Sequence, residues 1–376
     1  MDMNLLQGTQ KVLNALLTLE VPEIALNASN VFDSKKAYRR DLGMDVWDWP
    51  QGVGLYGLEK LQKVLGDQSY DKYLGAWFEK RIAEGLPSKN VNTTAPYIVM
   101  LDYALRTRHE PYLRMCRERG EFLMNELPKT KEGGFQHVTT SLEDKNGVQL
   151  NEGQLWVDTL FMAVIFLSKA GVALNEAAWV DEAVHQILIH IKYLYEVKTG
   201  LMYHGWSFLR NDHFGGTFWL RGNSWFTYGM LELLNILGDR MDAGTRLFIR
   251  QTFEAQVDAL LRHQHASGLW HTVIDDDSTY LETSGSAAVC AALYQGMYTG
   301  VLKEEKVLKP AQRALEAVMA EINENGLVGN VSGGTAVGLD AQHYQNIPKV
   351  PIGYGQSLTA ICLIEAMEFE KRGKNM

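Results

Sequence analysis

The chain has 376 residues, of which 46% are hydrophobic and 22% are charged, a composition typical of a globular protein with a large core. Its formal net charge of -9 argues against nucleic acid or an anionic membrane as the main partner. The three cysteines, Cys116, Cys290 and Cys362, are scattered and indicate neither a disulfide framework nor a zinc site. The start of the chain shows no secretion signal, and no apolar run approaches the roughly 20 residues of a membrane span. We therefore expect a cytoplasmic protein.

The predicted elements are helices of two kinds that alternate along the chain. Charged, amphipathic helices are expected at Asn4–Leu19, Tyr70–Ile82, Pro111–Leu127, Trp179–Tyr195, Ala243–Arg262 and Glu304–Ile322. Apolar helices are expected at Val53–Leu65, Thr93–Leu105, Gln154–Ala170, Asn223–Leu237, Ser284–Tyr298 and Gly353–Phe369. Short extended segments at 133–140, 201–207 and 268–273 are expected to form hairpins in the loops.

Each charged helix is followed by an apolar one, which gives six pairs. Because the apolar members need burial and the charged members need solvent, the pattern predicts an all-α fold. We expect an (α/α)6 barrel of six inner and six outer helices, formed as a single catalytic domain over residues 1–376. An open α-solenoid is the alternative, but its loops are short and uniform. Here the segments before the apolar helices are long and rich in Gly, Trp, His and Asp, and in a closed barrel they would meet at one rim.

One acid lies inside the most apolar of these segments, Asn151–Gly171. The Asn-Glu-Gly at its start predicts that a helix begins there, and helical spacing then places Gln154, Asp158 and Phe161 on one face. Asp158 can be interpreted as a buried acid that a local hydrogen bond satisfies. It can also be interpreted as a carboxylic acid whose raised pKa keeps it protonated as a donor. The second interpretation makes Asp158 the candidate catalytic residue.

Aromatic residues at the predicted rim favour a sugar as the ligand. Flat indole faces in a concave site suit sugar rings, although a tryptophan is usually a core anchor. Trp219 and Trp225 bracket Arg221, whose guanidinium could bind a carboxylate with two hydrogen bonds. The alternative for Arg221 is a structural salt bridge at a helix start. The sequence contains no phosphate-binding glycine loop, Rossmann fingerprint or nucleophile elbow.

Six segments together resemble one known family. They read DVWDWPQGVGLYGL, NVNTTAPY, QLWVDTLFM, WLRGNSW, GLWHTVIDDDSTYLETSGSAA and PKVPIGYGQ, in this order along almost the whole chain. The set resembles the unsaturated rhamnogalacturonyl hydrolases, glycoside hydrolase family 105, whose nearest relatives are the unsaturated glucuronyl hydrolases of family 88. The resemblance implies an (α/α)6 barrel that removes a 4,5-unsaturated uronic acid from the non-reducing end of oligosaccharides left by a lyase. Rhamnose is the implied leaving sugar.

The resemblance also implies roles for individual residues. Asp158 matches the general acid of the family, and Asn92 falls where family 88 enzymes have a second acid. Since an amide cannot share a proton, Asp158 would act largely alone, protonating C4 of the alkene while apolar walls hold its pKa up. No metal or organic cofactor is implied. The other candidate substrate-binding residues are Trp47, His137, Gln154, Trp156, His204, Trp219, Arg221, Trp225, Tyr344 and Lys349.

Two other functions stay open on the sequence alone. A sugar 2-epimerase shares the barrel and needs paired histidines as acid and base. His204 and His343 are present, but their sequence contexts do not fit that pattern. A non-catalytic sugar-binding protein on the same scaffold would bind tightly without turnover, and the presence of Asp158 argues against it.

Overall fold

The computed structural model describes residues 3–19, 43–141, 144 and 146–373. The helices of this part of the chain are α1 (Met3–Leu17), α2 (Trp49–Leu65), α3 (Asp71–Ala83), α4 (Pro96–Thr107), α5 (Glu110–Asn125), α6 (Ile165–Ala173), α7 (Ala177–Leu194), α8 (Leu220–Leu237), α9 (Ala243–Arg262), α10 (Thr283–Tyr298), α11 (Glu304–Ala320), α12 (Ala341–Gln345) and α13 (Gly353–Gly373). None of these described helices combines the length and the apolar character that crossing a membrane requires.

The apolar helices close into a ring. In this ring α2 packs on α4, α4 on α6, α6 on α8, α8 on α10, α10 on α13, and α13 back on α2. The amphipathic helices α1, α3, α5, α7, α9 and α11 pack around its outside. Inner helix α10 is buried from Thr283 to Met297. Outer helix α11 buries only one stripe, at Val307, Ala311, Ala314 and Val318, which is the spacing of a helix with one face on a core. The predicted (α/α)6 barrel is confirmed.

Short strands in the described loops form four antiparallel pairs. Three are hairpins, β1 (Val138–Thr140) with β2 (Val148–Leu150), β4 (Tyr195–Glu196) with β5 (Leu201–Met202), and β7 (Trp270–His271) with β8 (Leu281–Glu282). Each predicted extended segment contributes at least one strand to these pairs. The fourth pair joins two separate loops, because β3 (Gln154–Trp156) lies against β6 (Gly205–Ser207).

The segment around Asp158 is not the continuous helix that its sequence predicts. Residues 154–156 form strand β3, and a π-helical turn at Leu160–Val164 leads into α6. Gly153 adopts the left-handed region with φ 66°, a conformation that favours glycine and does not continue a helix. Strand pairing with β6 then takes the backbone groups that a helix would have used. Gln154 and Asp158 therefore do not share a helix face, and Asp158 begins the helical segment.

Charged side chains cross-link the inner helices near their C-terminal ends. Lys60 of α2 lies 2.9 Å from Glu232 of α8 and 2.8 Å from Glu365 of α13. The Gln295 side chain of α10 donates to Glu232 at 2.6 Å. Burial by itself raises the pKa of Glu232, but Lys60 and the hydrogen-bond donors around it lower this pKa to about 2. Glu232 is therefore ionised near neutral pH and, with Lys60, ties together helices that lie across the ring.

Gly52 of α2 lies where the start of α4 approaches most closely. A Cβ atom there would be 2.7 Å from backbone atoms of Ala95 and Pro96. We expect Gly52→Ala to lower the free energy of unfolding in urea by about 1–3 kcal/mol, because the backbone must shift. The matched control is Gly229→Ala on α8, where the nearest atom, in Phe161, is 3.7 Å away. This control should be neutral or stabilising by up to about 1 kcal/mol, through helix propensity. Equal losses of stability in the two variants would contradict the close approach of α2 to the start of α4.

Candidate active site

Asp158 lies at the start of the helical segment that leads into α6, directly after strand β3. Its Oδ2 is 3.2 Å from Nε2 of His204, and its side chain is 15% exposed, so that solvent reaches it. Strand pairing sets this contact, because β3 lies along β6 and the Val157 N–H donates to the His204 carbonyl oxygen at 3.0 Å. The backbones that carry the carboxylate and the imidazole are thus hydrogen-bonded to each other, which holds the two side chains together.

The pKa of Asp158 differs from the prediction. Burial raises the pKa of this carboxyl, as its apolar neighbours suggested. The contact with His204 and the electrostatic influence of His204, His137 and Arg221 lower it by more, so that the net pKa is below the usual aspartate value. The predicted raised pKa is therefore wrong for the free protein, because an imidazole lies beside the carboxylate. Asp158 is ionised near neutral pH when no substrate is bound.

His204 is almost completely buried and is held on several sides. Its Nδ1 is 2.8 Å from the hydroxyl of Tyr344, and this hydroxyl accepts the N–H of Gly338 at 3.0 Å. The imidazole ring lies 4.3 Å from the ring of Trp219 and 5.6 Å, edge-on, from that of Trp156. The orientation of the imidazole toward the carboxylate is therefore fixed by packing and by a hydrogen bond at its far nitrogen.

His137, Gln154 and Trp156 form the neighbouring wall. The rings of His137 and Trp156 stack, with 4.2 Å between centroids, and His137 Nδ1 is 2.9 Å from the Thr159 hydroxyl. The indole N–H of Trp156 donates to the side-chain oxygen of Gln154 at 2.8 Å. Burial lowers the pKa of His137 to about 3. The ring is therefore neutral at ordinary pH and offers a stacking surface, not a proton.

Arg221 is completely buried. Its Nη1 donates to the carbonyl oxygen of Ser332 at 3.0 Å and its Nη2 to that of Gly333 at 2.7 Å. The predicted bidentate grip on a substrate carboxylate is not present, because both terminal nitrogens donate to the protein. The structure has the alternative, a structural ion pair. Arg221 is the second residue of α8, and its Nη1 is 3.8 Å from Glu282, a fully buried acid that caps the N-terminus of α10.

Two rings flank the guanidinium of Arg221. Its central carbon is 4.5 Å from the ring centroid of Trp219 and 4.7 Å from that of Tyr354, which stabilises a buried cation. The prediction that Trp225 is the second flanking ring is wrong. Trp225 is completely buried, 4.9 Å from the ring of Phe161.

These contacts join into one arc of stacked groups, which we call the aromatic arc. Its last contact is Trp49 on Tyr354, with 4.6 Å between the ring centroids. Several members lie at the first residues of inner helices, so the arc runs around the mouth of the barrel, and Asp158 joins it at His204. In spatial order the members are His137, Trp156, His204, Trp219, Arg221, Tyr354 and Trp49. All members except Trp49 are buried, so the arc forms the packed wall of the cup, and the half-buried Trp49 and the partly exposed Asp158 are the groups that solvent reaches. A cup with an aromatic wall beside one carboxylate suits a sugar ring.

Trp47 was predicted to line the site, but it belongs to the core. It is 3% exposed, stacks on Trp77 at 5.3 Å, and its indole N–H donates to the carbonyl oxygen of Thr93 at 3.0 Å. The half-buried Trp49 lies at the mouth instead. The signal that separates the two is Asp48, whose side chain accepts the Trp49 N–H and caps α2. Asp-Trp-Pro is a helix start with Trp49 as the first helical residue.

The remaining predicted residues are spread over three places. Asn92 is buried in the turn Asn92–Thr94, which packs on the π-helical turn following Asp158. Tyr344 is fully buried behind His204, so the prediction that it lines the cup is wrong. Lys349 is exposed at the rim, where its Nζ donates to the Asn330 side chain at 3.0 Å.

Three residues that complete the site are absent from the predicted set. Trp49 and Tyr354 extend the aromatic arc, and Glu282 carries the charge that balances Arg221. The sequence does contain signals for two of them. Glu282 stands three residues before Gly285, as a capping acid would, and Tyr354 opens an apolar helix as the other rim residues do. Their contacts with Arg221 depend on the closed ring and have no local signal.

The chain matches one family over most of its length. A profile of glycosyl hydrolase family 88 covers residues 26–370. The chain belongs to this family. The unsaturated rhamnogalacturonyl hydrolase YesR of Bacillus subtilis is 30% identical to this family 88 member over 354 residues, which are 92% of this chain and 99% of that protein. An unsaturated 3S-rhamnoglycuronyl hydrolase of Formosa agariphila is 28% identical over 80% of each chain.

The solved structures agree with the family 88 assignment. A possible member of glycoside hydrolase family 105 from Salmonella enterica superposes with a TM-score of 0.87 at 34% identity, over 98% of this chain and 94% of that chain. The predicted resemblance to families 105 and 88 is confirmed, and the protein is a glycosidase. The epimerase alternative loses its basis, because Nε2 of His343 lies 3.2 Å from Thr335 and from the Ala336 carbonyl oxygen. His343 and His204 do not face each other as an acid–base pair, since each contacts the ring of the buried Tyr344.

The ion pair between Arg221 and Glu282 yields a stability prediction. Glu282→Gln should lower the free energy of unfolding by about 3–5 kcal/mol, because it leaves a buried cation without its counter-charge. The new amide group would also face one of the N–H donors of Ser284, Gly285 and Ser332. The control is Asp239→Asn, which removes the partner of Arg246 at a residue whose side chain is 94% exposed. It should cost about 0–1 kcal/mol. A Glu282 variant as stable as this control in urea would contradict the buried pair.

Proposed function

We propose that the protein removes a 4,5-unsaturated uronic acid from the non-reducing end of lyase-generated oligosaccharides, with rhamnose as the leaving sugar. Membership of family 88 and the activities named for the relatives from Bacillus subtilis and Formosa agariphila support this proposal. The observation that carries it is the placement of Asp158. This carboxylate is reachable by solvent, lies beside His204, and stands within an arc of aromatic faces at the mouth of the barrel.

The site suits a reaction that needs one acid. Ordinary glycosidases use two carboxyl groups on either side of the scissile bond. Here the position at which the family resemblance places a second acid is Asn92, whose amide cannot donate a carboxyl proton. An unsaturated uronic acid is an enol ether conjugated with a carboxylate, so protonation at carbon starts the reaction without attack on the glycosidic oxygen. Asp158 is therefore proposed as the general acid and base, with the cup in front of the arc as the sugar-binding site.

The proposed reaction uses Asp158 first as an acid and then as a base. The Asp158 carboxyl gives its proton to C4, and the electron pair of the double bond forms the new C4–H bond. This leaves an oxocarbenium-like centre at C5. The carboxylate of Asp158 then takes a proton from a water molecule while the water oxygen bonds to C5. In the resulting hemiketal the bond between C5 and the ring oxygen breaks, C5 becomes a ketone, and the hydroxyl proton of C5 passes to the ring oxygen on C1. The hemiacetal now at C1 collapses to an aldehyde as the bond between C1 and the glycosidic oxygen breaks, and its hydroxyl proton leaves on the glycosidic oxygen of the released sugar.

Asp158 must acquire its proton as the substrate binds, because its pKa is low in the free protein. The substrate is an anion, and a second negative charge near a carboxylate raises the pKa of that carboxylate. Binding therefore favours the protonated form that the first step requires. Arg221, a fully buried member of the arc, lowers the pKa of Asp158 through its charge and offsets the charge of the bound substrate in the same way.

We also propose a cytoplasmic location. Cys116, Cys290 and Cys362 are buried free thiols in the described structure, which supports a reducing compartment. The net charge of -9 is consistent with an oligosaccharide and not a nucleic acid as the partner.

Replacing Asp158 with Asn tests the proposed acid. We expect kcat/KM for an unsaturated galacturonyl-rhamnose disaccharide to fall by about 10²–10⁴-fold, the usual contribution of general acid–base catalysis, since an amide donates no carboxyl proton. Turnover is measured as loss of the ultraviolet absorbance of the conjugated double bond. The control is Asp277→Asn, in an exposed turn, which should keep full activity. If the Asp158 variant remains as active as this control while folded, the proposed role is wrong.

The substrate class can be tested with one chemical change. Reducing the C4=C5 bond of the same disaccharide keeps the carboxylate and the glycosidic linkage but removes the π electron pair that would accept the proton of Asp158. We expect no release of rhamnose from the reduced disaccharide, measured by chromatography. The reduced compound should still bind in the cup and inhibit turnover of the unsaturated substrate. Cleavage of both compounds at similar rates would indicate an ordinary glycosidase mechanism instead.

A further inference from the structure

Tyr344 is placed behind the site and not in it. Its side chain is completely buried and packs with Trp219, Val273 and Ile347. A ligand in the cup therefore does not touch its ring. Its hydroxyl nevertheless reaches the site, because it lies 2.8 Å from Nδ1 of His204.

The hydrogen bonds of this hydroxyl select one form of His204. The oxygen of Tyr344 already accepts the N–H of Gly338 at 3.0 Å, so its single proton is directed to Nδ1. A neutral imidazole that accepts at Nδ1 carries its own proton on Nε2. Nε2 is the atom that lies 3.2 Å from Oδ2 of Asp158. This distance is longer than the about 2.7–2.9 Å of a tight charge-assisted bond, and the two atoms are not aligned as a hydrogen bond in the free protein. Such poor alignment is common in catalytic sites without substrate, where the bond forms only in the complex.

The backbone that supplies the Gly338 N–H is itself held in place. A Cβ atom at residue 338 would lie 2.3 Å from the ring of His343, so only glycine allows this approach. The neighbouring loop is equally close, since a Cβ atom at Gly215 would lie 2.3 Å from the carbonyl oxygen of Gly338. The N–H donor and the phenol therefore keep a fixed relation to each other.

We propose that Tyr344 is a positioning residue that holds His204 in the Nε2–H tautomer, so that His204 donates to Oδ2 of Asp158 and leaves Oδ1 to carry the catalytic proton. This inference rests on the proposed role of Asp158 as the acid. The N–H of His204 stabilises the carboxylate that remains after C4 is protonated, which makes Asp158 a stronger acid toward carbon. The other tautomer would direct a lone pair at the carboxylate and remove this assistance.

The pH dependence follows from the groups around the pair. Asp158 faces His204, His137 and Arg221, and the hydroxyl of Tyr344 lies close enough to feel its charge. His343 exerts an electrostatic influence from the far side of His204. The contact with His204 is among the influences that lower the pKa of Asp158. Losing the Nε2–H donor should therefore raise this pKa and move the basic limb of kcat/KM to higher pH.

Tyr344→Phe tests the proposal. We expect the low-pH plateau of kcat/KM to fall about tenfold, the value of one net hydrogen bond, and the basic limb to move to higher pH. The control is Tyr228→Phe, which removes an equally buried hydroxyl that donates to Glu365 at 2.9 Å, near the other end of the ring. This control should lower stability without moving the limb. A Tyr344 variant with an unmoved limb would show a merely structural role and overturn the proposal.

A double variant tests whether Tyr344 affects catalysis through His204 or by another route. His204→Gln keeps an amide N–H near the place of Nε2 but has no tautomers. If Tyr344 acts through His204, adding Tyr344→Phe to His204→Gln should change kcat/KM by less than about twofold, because coupled residues are not additive. A full tenfold loss in both backgrounds would overturn the proposal.

The tautomer can also be read in the unaltered protein. Nitrogen-15 NMR of histidine-labelled protein, with the His204 signals identified by their loss in His204→Gln, should show a proton on Nε2 and none on Nδ1. The reverse result would overturn the proposal even if Tyr344→Phe does not fold. Failure of the underlying function is distinguishable, because Asp158→Asn would then keep its turnover, whereas failure of the positioning role alone leaves Asp158→Asn inactive.

Discussion

The pairing of β3 with β6 is the constraint on which the active site depends. These strands come from loops before two different inner helices, and their hydrogen bonds bring Asp158 and His204 into contact. Without this pairing, we expect Asp158 to lie inside a continuous apolar helix, where burial would raise the pKa of its carboxyl group. With it, the same carboxylate is ionised, oriented and open to the cup. A few backbone hydrogen bonds thus set the protonation state of the proposed catalytic acid.

Most of the fold could be predicted from periodicity, because the two kinds of helix have different burial needs. The stripe of small apolar residues on α11 and the all-round burial of α10 are both visible as spacing in the sequence. What periodicity could not show was a break inside an apolar run. The strand at Gln154–Trp156 is favoured by its partner in β6, and a partner more than forty residues away leaves no trace in a local pattern.

The candidate site was predictable to the same extent: single residues could be found from the sequence, but their contacts across the fold could not. Asp158 could be found because a single acid in an apolar segment is chemically conspicuous, and Arg221 because tryptophans surround it in the chain. The neighbours of each could not be found. Arg221 faces Glu282 and Tyr354 across the ring, not the Trp225 beside it in sequence. Trp47 and Trp49 look equivalent as letters, and only the cap at Asp48 assigns one to the core and the other to the mouth.

The stacking of Trp49 on Tyr354 joins α2 to α13, which lie near opposite ends of the described chain. The arc therefore spans the seam at which the ring closes, and no contiguous fragment that lacks either end contains it whole. During synthesis on the ribosome, the cup is incomplete until α13 has emerged and docked between α2 and α10. Under the proposed function, the cup that would hold the sugar has its full wall only when α13 closes the circle.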